Sequence, residues 1–301
     1  MFDYHRELLA DETRTFAFRE AIARVVRPGD VVVDLGCGSG ILSFFACQAG
    51  AARVYAIDNS YAADFASFLT RHLQLAERIT IVRGHSTKIE LPERADVLVT
   101  ETLGNLGFDE SILSNVLDAR ERLLKPDARI IPAHVTVWLM PVELESTYAR
   151  EVGFWSEPRY GLDLSPLRVF ASNSVYYARM STLAHLAEPA EILRADLLHG
   201  DTTTVTGGAS FIARRNAQLH GFGVFFRARL AEDVMLTNCD WRTSSWTQGF
   251  LPLEEPASIA KGDRVEIEVE TQDGRVWGWR GKAAGAEFDQ TTWLAKPPKG
   301  P

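Results

Sequence analysis

The stretch that decides the fold is VVVDLGCGSG, residues 31–40, followed at once by ILSFFACQAG, residues 41–50. Val31, Val32 and Val33 suit a strand buried on both faces, and the glycines permit a tight turn. Apolar residues then recur at helical spacing. Strand, glycine turn and helix in this order let a ligand approach the backbone without meeting a Cβ atom. A purely structural turn would need the same glycines. What adds weight is Asp58, closing the next strand-like run VYAID (54–58), where a carboxylate can accept the hydroxyl hydrogens of an adenosine ribose. The spacing departs from the dinucleotide fingerprint, since Ile41 follows Gly40 directly, and no triphosphate loop is present. An adenosine cofactor without a pyrophosphate fits better than NAD or ATP.

Outward from this unit, ITIVRG (79–84), DVLVTE (96–101) and VTVWLM (135–140) read as further strands, alternating with helical stretches. That alternation predicts a mostly parallel sheet covered by helices over 31–142. In the last helix Ile112, Leu113, Val116, Leu117 and Leu123 supply the buried face, and Lys125-Pro126-Asp127 stops it. Upstream, LLADETRTFAFREAIARVV reads as amphipathic helices with Leu8, Leu9, Phe16, Ile22 and Val25 inward. After about Glu143 the texture changes to alternating apolar and polar residues between turn signals, which predicts an antiparallel sheet or small barrel. VYYARMSTLAHLAEPAEILRADLL reads as a helical excursion, and AKPPKGP as a frayed tail.

The 301 residues are 46% hydrophobic and 24% charged, a globular composition that excludes wholesale disorder. A formal charge of −8 argues against wrapping a nucleic-acid backbone and is compatible with a cationic small molecule or basic peptide. Three cysteines form neither a disulfide framework nor a zinc module, and no metal is expected. Apolar stretches are too short to span a membrane. MFDYHRELLADETR, charged from its third residue, does not read as a signal peptide. A cytoplasmic protein with no nucleic-acid or membrane partner is the expectation.

A second signal lies at the end of DVLVTE. Glu101 and Glu110 flank the loop TLGNLGFD, placed beyond the carboxyl ends of the strands where open α/β sheets bind ligands. Folded by Gly104 and Gly107, the loop could bring the two carboxylates around a guanidinium, which would relieve their repulsion. The alternative is a surface acid at Glu110 beside a helix N-terminus.

These segments resemble the protein arginine methyltransferases, a branch of the class I S-adenosylmethionine (SAM)-dependent methyltransferases. VVVDLGCGSGILSFFACQAGAARVYAID is similar to their first motif, TETLGNLGFDESIL to their double-glutamate loop, and LDARERLLKPDARIIPAHVTVWL to the lead into their second domain. FWSEPRYGLDLSPL and, more weakly, SSWTQGFLPL continue the likeness, which is most specific between Asp11 and Pro132.

The resemblance implies an α/β fold in three parts. N-terminal helices (1–30) cover the cofactor site, a Rossmann-like SAM-binding domain spans 31–142, and an antiparallel β-barrel spans 143–301. A helical arm over 168–195 would make a homodimer, its Val175, Tyr176, Leu183, Leu186, Ile192 and Leu193 covering the partner; a local helical hairpin on its own barrel is the alternative. For the cofactor it implies Arg14 at the SAM carboxylate, Asp34, Gly36, Cys37, Gly38 and Gly40 at the turn, Asp58 at the ribose, and Gly84, His85, Ser86 and Thr87 beside adenine. Glu101 and Glu110 would bind the guanidinium and carry catalysis, with Trp246 as an aromatic wall and S-adenosylhomocysteine as product.

Several positions depart from the family. Asp58 replaces a glutamate, Thr87 stands where a glutamate would reach the adenine amino group, and Ser244-Ser245-Trp246 stands where the family has Thr-His-Trp. Only Met1 to Tyr4 precede His5-Arg6-Glu7-Leu8-Leu9; Phe2 and Tyr4 could serve a cofactor lid in part, the alternatives being that the lid is absent or provided by another subunit. Leu8 and Ile112 occupy positions where methionines are frequent. The expected activity is methyl transfer to a guanidino nitrogen of free arginine, an arginine-containing peptide or protein, or a guanidino metabolite. A methyltransferase for another small amine and a non-catalytic SAM-responsive interaction protein remain as alternatives.

Overall fold

A computed structural model describes residues 2–240 and 244–292. The tail AKPPKGP lies outside these residues, as does the Phe2 side chain.

The chain begins with two helices, α1 (Phe2–Ala10) and α2 (Glu12–Val25). Arg14, Phe18, Ala21 and Ile22 form the buried face of α2, a three-and-four-residue repeat that excludes Phe16. Phe16 is therefore exposed, and Leu9 on α1, also expected inward, is exposed too.

The first sheet is built from β1 (Val31–Leu35), β2 (Arg53–Asp58), β3 (Ile79–Arg83), β4 (Ala95–Thr100) and β5 (Leu124–Ile131). Between them run α3 (Ile41–Gln48), α4 (Ala62–His72) and α5 (Ile112–Arg122). All pairs are parallel and the order is β3-β2-β1-β4-β5. Every residue of β1 is buried, as its valines require. The order reverses beside β1, so a crevice opens between the carboxyl ends of β1 and β4. The α5 stripe reads correctly at Ile112, Leu113 and Val116, but Lys125-Pro126-Asp127 lies within β5 rather than in a stop.

The antiparallel half opens with β6 (His134–Val142) and a helical stretch containing α6 (Glu145–Glu151) and α7 (Arg168–Ser172). Next come β7 (Tyr176–Ala178), β8 (Ala190–Asp196), β9 (Thr204–Ile212) and β10 (Ala217–Ala231). The last strands are β11 (Val234–Thr237), β12 (Gln248–Ile259), β13 (Arg264–Gln272), β14 (Val276–Ala283) and β15 (Ala286–Thr291). One sheet runs β7-β12-β10-β6-β8 with β11 on β10; the other runs β15-β14-β13-β9.

Two expectations are corrected here. VTVWLM belongs to β6, paired antiparallel with β10 and β8, so the parallel sheet ends at Ile131 and the change of texture comes before residue 142. The helical excursion lies over 145–172; within 168–195 only α7 and one short 3-10 turn are helical, and β7 and β8 are barrel strands. Ile192 and Leu193 on β8, and Leu186 in the segment before it, whose N–H donates to Pro141 O at 2.9 Å, are buried in their own subunit. They are therefore not available to cover a partner. Among the described residues no helix is long and apolar enough to cross a membrane, and no cluster of three His, Cys, Asp or Glu side chains could hold a metal.

Candidate active site

The carboxyl ends of β1, β2 and β4 open into a cavity of about 430 Å³. Its floor is the turn after β1. Gly36 and Cys37 donate their backbone N–H groups to Ile57 O at 2.9 and 3.0 Å, and Gly38 N–H donates to one Asp58 oxygen at 2.8 Å. The other Asp58 oxygen accepts Ser60 N–H at 2.7 Å. Asp58 thus braces the turn, and each oxygen keeps a lone pair for a ligand. A Cβ at Gly36 (φ +75°) would sit 2.9 Å from Thr102 Cγ2, and one at Gly38 (φ +52°) 3.3 Å from His5 Cε1. Both positions combine a left-handed backbone with a close neighbour. Gly84, His85 and Ser86, just beyond β3, complete this end.

Asp34, Gly40 and Thr87 lie outside the lining. Asp34 is buried beneath the turn, where its carboxylate accepts the Ser43 hydroxyl at 2.6 Å and burial pushes it up to about 7. Gly40 (φ +84°) starts α3 against Ala66. Thr87 is exposed, its hydroxyl 2.9 Å from His85 Nδ1. The first two shape the turn from behind, and the third faces solvent.

At the other end Glu101, Glu110, Arg14 and Trp246 line the same cavity. Asp109 folds the loop between the glutamates: its Oδ2 accepts N–H groups from Asn105 and Leu106 at 2.9 and 3.0 Å. Leu103, Leu106 and Phe108 are buried, so the loop turns its apolar side chains inward and carries Glu110 back to the opening. Arg14 Nη1 donates to Glu101 Oε2 at 2.6 Å, and Nη2 donates to Leu8 O at 2.9 Å. The same guanidinium stands 5.6 Å from the Trp246 ring centroid, within cation–π range. A guanidinium held between a carboxylate and an aromatic face is therefore already present.

Burial pushes the Glu101 carboxyl up to about 7, against the pull of Arg14 and with a further push from the Glu110 charge. Although Glu110 is exposed as a residue, its carboxyl is raised by desolvation, again opposed by Arg14. The Asp109 carboxyl is raised to about 6 by burial, despite its two N–H donors. Two carboxyls poised upward in one cavity favour a cation between them.

Sequence reading missed the side chains that hold this end together. Asp11 Oδ1 caps α2 by accepting Arg14 N–H at 2.9 Å, while Oδ2 accepts Ser245 N–H at 2.6 Å. Asn238, fully buried, donates to Asn105 O at 2.8 Å and Thr247 O at 2.7 Å and accepts Phe226 N–H at 2.8 Å. Thr247 N–H donates to Asn105 Oδ1 at 2.8 Å. An acid before a helical run is a readable cap for Asp11; the asparagines carry no local signal. Trp246 is consequently buried, edge-on to Phe226 with centroids 5.1 Å apart. Tyr4, His5, Leu8 and Leu9 of α1 also line the cavity, so this helix covers the site, whereas Ile112 is fully buried in the core.

Comparison with known proteins gives the same account. Residues 133–280 match the family described as the arginine methyltransferase oligomerization subdomain, and residues 13–133 match that of ribosomal protein L11 methyltransferase. The chain is 33% identical to a probable protein arginine N-methyltransferase 6 of Arabidopsis thaliana over 74% of its length, covering 53% of that protein. It is 30% identical to protein arginine N-methyltransferase 6 of Danio rerio over 88% of its length, covering 80% of that protein. It thus spans little more than half of some curated relatives. Among solved structures, Trypanosoma brucei PRMT1, in an enzyme–prozyme heterotetrameric complex with AdoHcy, superposes with a TM-score of 0.85 at 25% identity. The superposition covers 97% of this chain and 98% of that one. One parallel and two antiparallel sheets fit these matches, and with a relative 30% identical of which it covers 80%, the chain belongs to the protein arginine methyltransferase family of class I SAM-dependent methyltransferases.

Proposed function

We propose that the protein transfers a methyl group from SAM to a guanidino nitrogen of arginine, free or peptide-borne, or of a related metabolite. The observation that carries this reading is that Glu101 and Glu110 open into the same cavity as the Asp58-braced glycine turn. That cavity has the size of a small-molecule site, and the turn along it is built from glycines with left-handed backbone. SAM, when bound, supplies an electrophilic methyl carbon on a sulfonium that leaves as a neutral thioether. Asp58 is the acceptor for ribose hydroxyls, and Arg14 the cation for a carboxylate. Glu101 and Glu110 orient the guanidinium and hold its positive charge away from the attacking nitrogen. Glu110, at the opening, receives the released proton directly or through solvent.

The test incubates labelled SAM with separate panels of free guanidines, basic peptides, simple amines and cell extract, and identifies products by mass. Methylated guanidine or peptidyl arginine is expected, with S-adenosylhomocysteine as co-product. Product only on amines would replace the guanidine reading, and SAM binding without any product would leave an interaction protein. The amine reading draws on Ser245, which meets Asp11 through its backbone N–H where the family has an imidazole.

We further infer a homodimer. The helical stretch before β7 exposes Phe154, Leu162, Leu167 and Phe170, an apolar surface of the kind subunits cover, within a region that matches an oligomerization subdomain. Sedimentation velocity should give twice the chain mass at micromolar concentration; a single-chain mass there would overturn the inference.

A further inference from the structure

On the outer face of the antiparallel half, β8, β6, β10 and β11 lie side by side, and their register lines up an unusual set of side chains. Arg194, Thr136, Arg227 and Thr237 occupy one cross-strand row; Asp196, His134, Arg229 and Met235 occupy the next. A third pairs Glu191 with Trp138 and Trp138 with Phe225. Apart from Phe225, which is buried, these residues alternate along their strands with buried Val135, Val137, Phe226 and Ala228 and lie on the solvent side. They enclose a shallow cavity of about 260 Å³. The Arg227 guanidinium lies 4.1 Å from the Trp138 ring centroid, and Trp138 Nε1–H donates to Thr136 Oγ1 at 3.0 Å. The wall is thereby fixed. Arg194 is held by Glu191, and His134 faces Asp196 at 3.7 Å. Among the described residues neither Arg227 nor Arg229 makes an ion pair, although the chain carries 40 acidic residues against 32 basic ones.

Arg227 and Arg229 lie two residues apart on one side of β10, the first opposite Thr136 and Thr237 and the second opposite His134 and Met235. We propose that this face is a docking surface for an acidic segment of a protein partner, bound in extended form across Arg227 and Arg229. Two arginines two residues apart on one strand stand about 7 Å apart, the repeat of same-side carboxylates along an extended peptide. Trp138 and the half-exposed Met235 offer apolar contact to residues between those carboxylates. The face is open and lacks the enclosure of a site for a single small anion. The net charge of −8 disfavours a polyanion as dense as nucleic acid. The surface is separate from the catalytic cavity, so the proposal stands or falls independently of methyl transfer.

The test uses the full chain and a fluorescein-labelled decapeptide of alternating glutamate and valine, with a glutamine–valine peptide as control. Anisotropy should show saturable binding of the glutamate peptide alone, weakening as salt rises from about 50 to about 500 mM. The double variant Arg227→Gln/Arg229→Gln should lose about tenfold or more in affinity at an unchanged melting temperature. Met235→Glu, which leaves both arginines in place, should lose a similar factor, and Arg264→Gln, on another sheet, less than about twofold. Absence of saturable binding, equal affinity in the double variant, or equal loss in Arg264→Gln overturns the proposal. So does tighter binding of a short single-stranded oligothymidine through the same arginines.

Discussion

Glu101→Gln is expected to lower kcat for the proposed guanidine methylation by about 100- to 1000-fold, the usual consequence of removing one preorganised charge partner from a reacting centre. The amide keeps the shape of the carboxylate but not its charge, so the guanidinium is neither drawn into the cavity nor polarised. Cofactor binding should persist, because the Asp58 brace and the glycine turn lie at the other end, but its affinity should shift as Arg14 loses its Glu101 partner. The wild-type acid limb comes from the same group. With the free-protein carboxyl raised to about 7, kcat/KM falls as pH drops through that value, since the protonated form cannot pair with a cation. The stability consequence has the opposite sense. Between the ordinary value of 4.5 and about 7 the folded chain binds this proton more tightly than the unfolded one. Its contribution to stability is therefore complete below 4.5 and lost as pH rises through about 7. Initial rates across this range, with cofactor binding measured alongside, check the assignment. A variant keeping more than about a tenth of wild-type kcat would remove Glu101 from the reaction.

Gly274→Ala is expected to destabilise the protein by about 3 kcal/mol or more, lowering its melting temperature by roughly 5–10 °C. Gly274 turns β13 into β14 with φ +67°, and a Cβ there would lie 1.9 Å from the backbone oxygen of Phe108. Neither partner can yield cheaply, because both are main chain. The adjacent Asp273 accepts Ser114 N–H at 2.9 Å and its hydroxyl at 2.6 Å, tying the same turn to α5. Phe108 is two residues from Glu110, so methylation should fall along with stability. Gly285→Ala separates the two contributions: its φ is +82°, but a Cβ there meets nothing within 4 Å. That variant reports backbone strain alone. Equal melting temperatures for the two would show that the turn does not press on the loop.

The parallel half was legible because each of its signals is local. Valines buried on both faces, glycines at a turn and an acid ending the next strand sit within 28 residues, from Val31 to Asp58. Glu101 and Glu110 were legible by likeness and not by spacing, since what folds their loop is Asp109 and a set of buried apolar residues. The helical excursion was misplaced because Ala190–Asp196, with apolar Ile192 and Leu193 side by side, supports a buried strand as readily as a helix. Phe16 was misread through the phase of α2, whose buried face includes Arg14, paired with Glu101. Asn105 and Asn238, 133 residues apart in the chain, show nothing in sequence of their meeting.

That meeting bears on how such a protein could be re-engineered. Asn238 joins the Glu101–Glu110 loop of one half to the Trp246 segment of the other, while Asp11 reaches the same segment from the amino-terminal helices. The two halves are consequently not interchangeable cassettes. A chimera cut at Pro132 inherits a pocket whose wall and floor come from different parents, and it stays intact only where Asp11, Asn105 and Asn238 travel together.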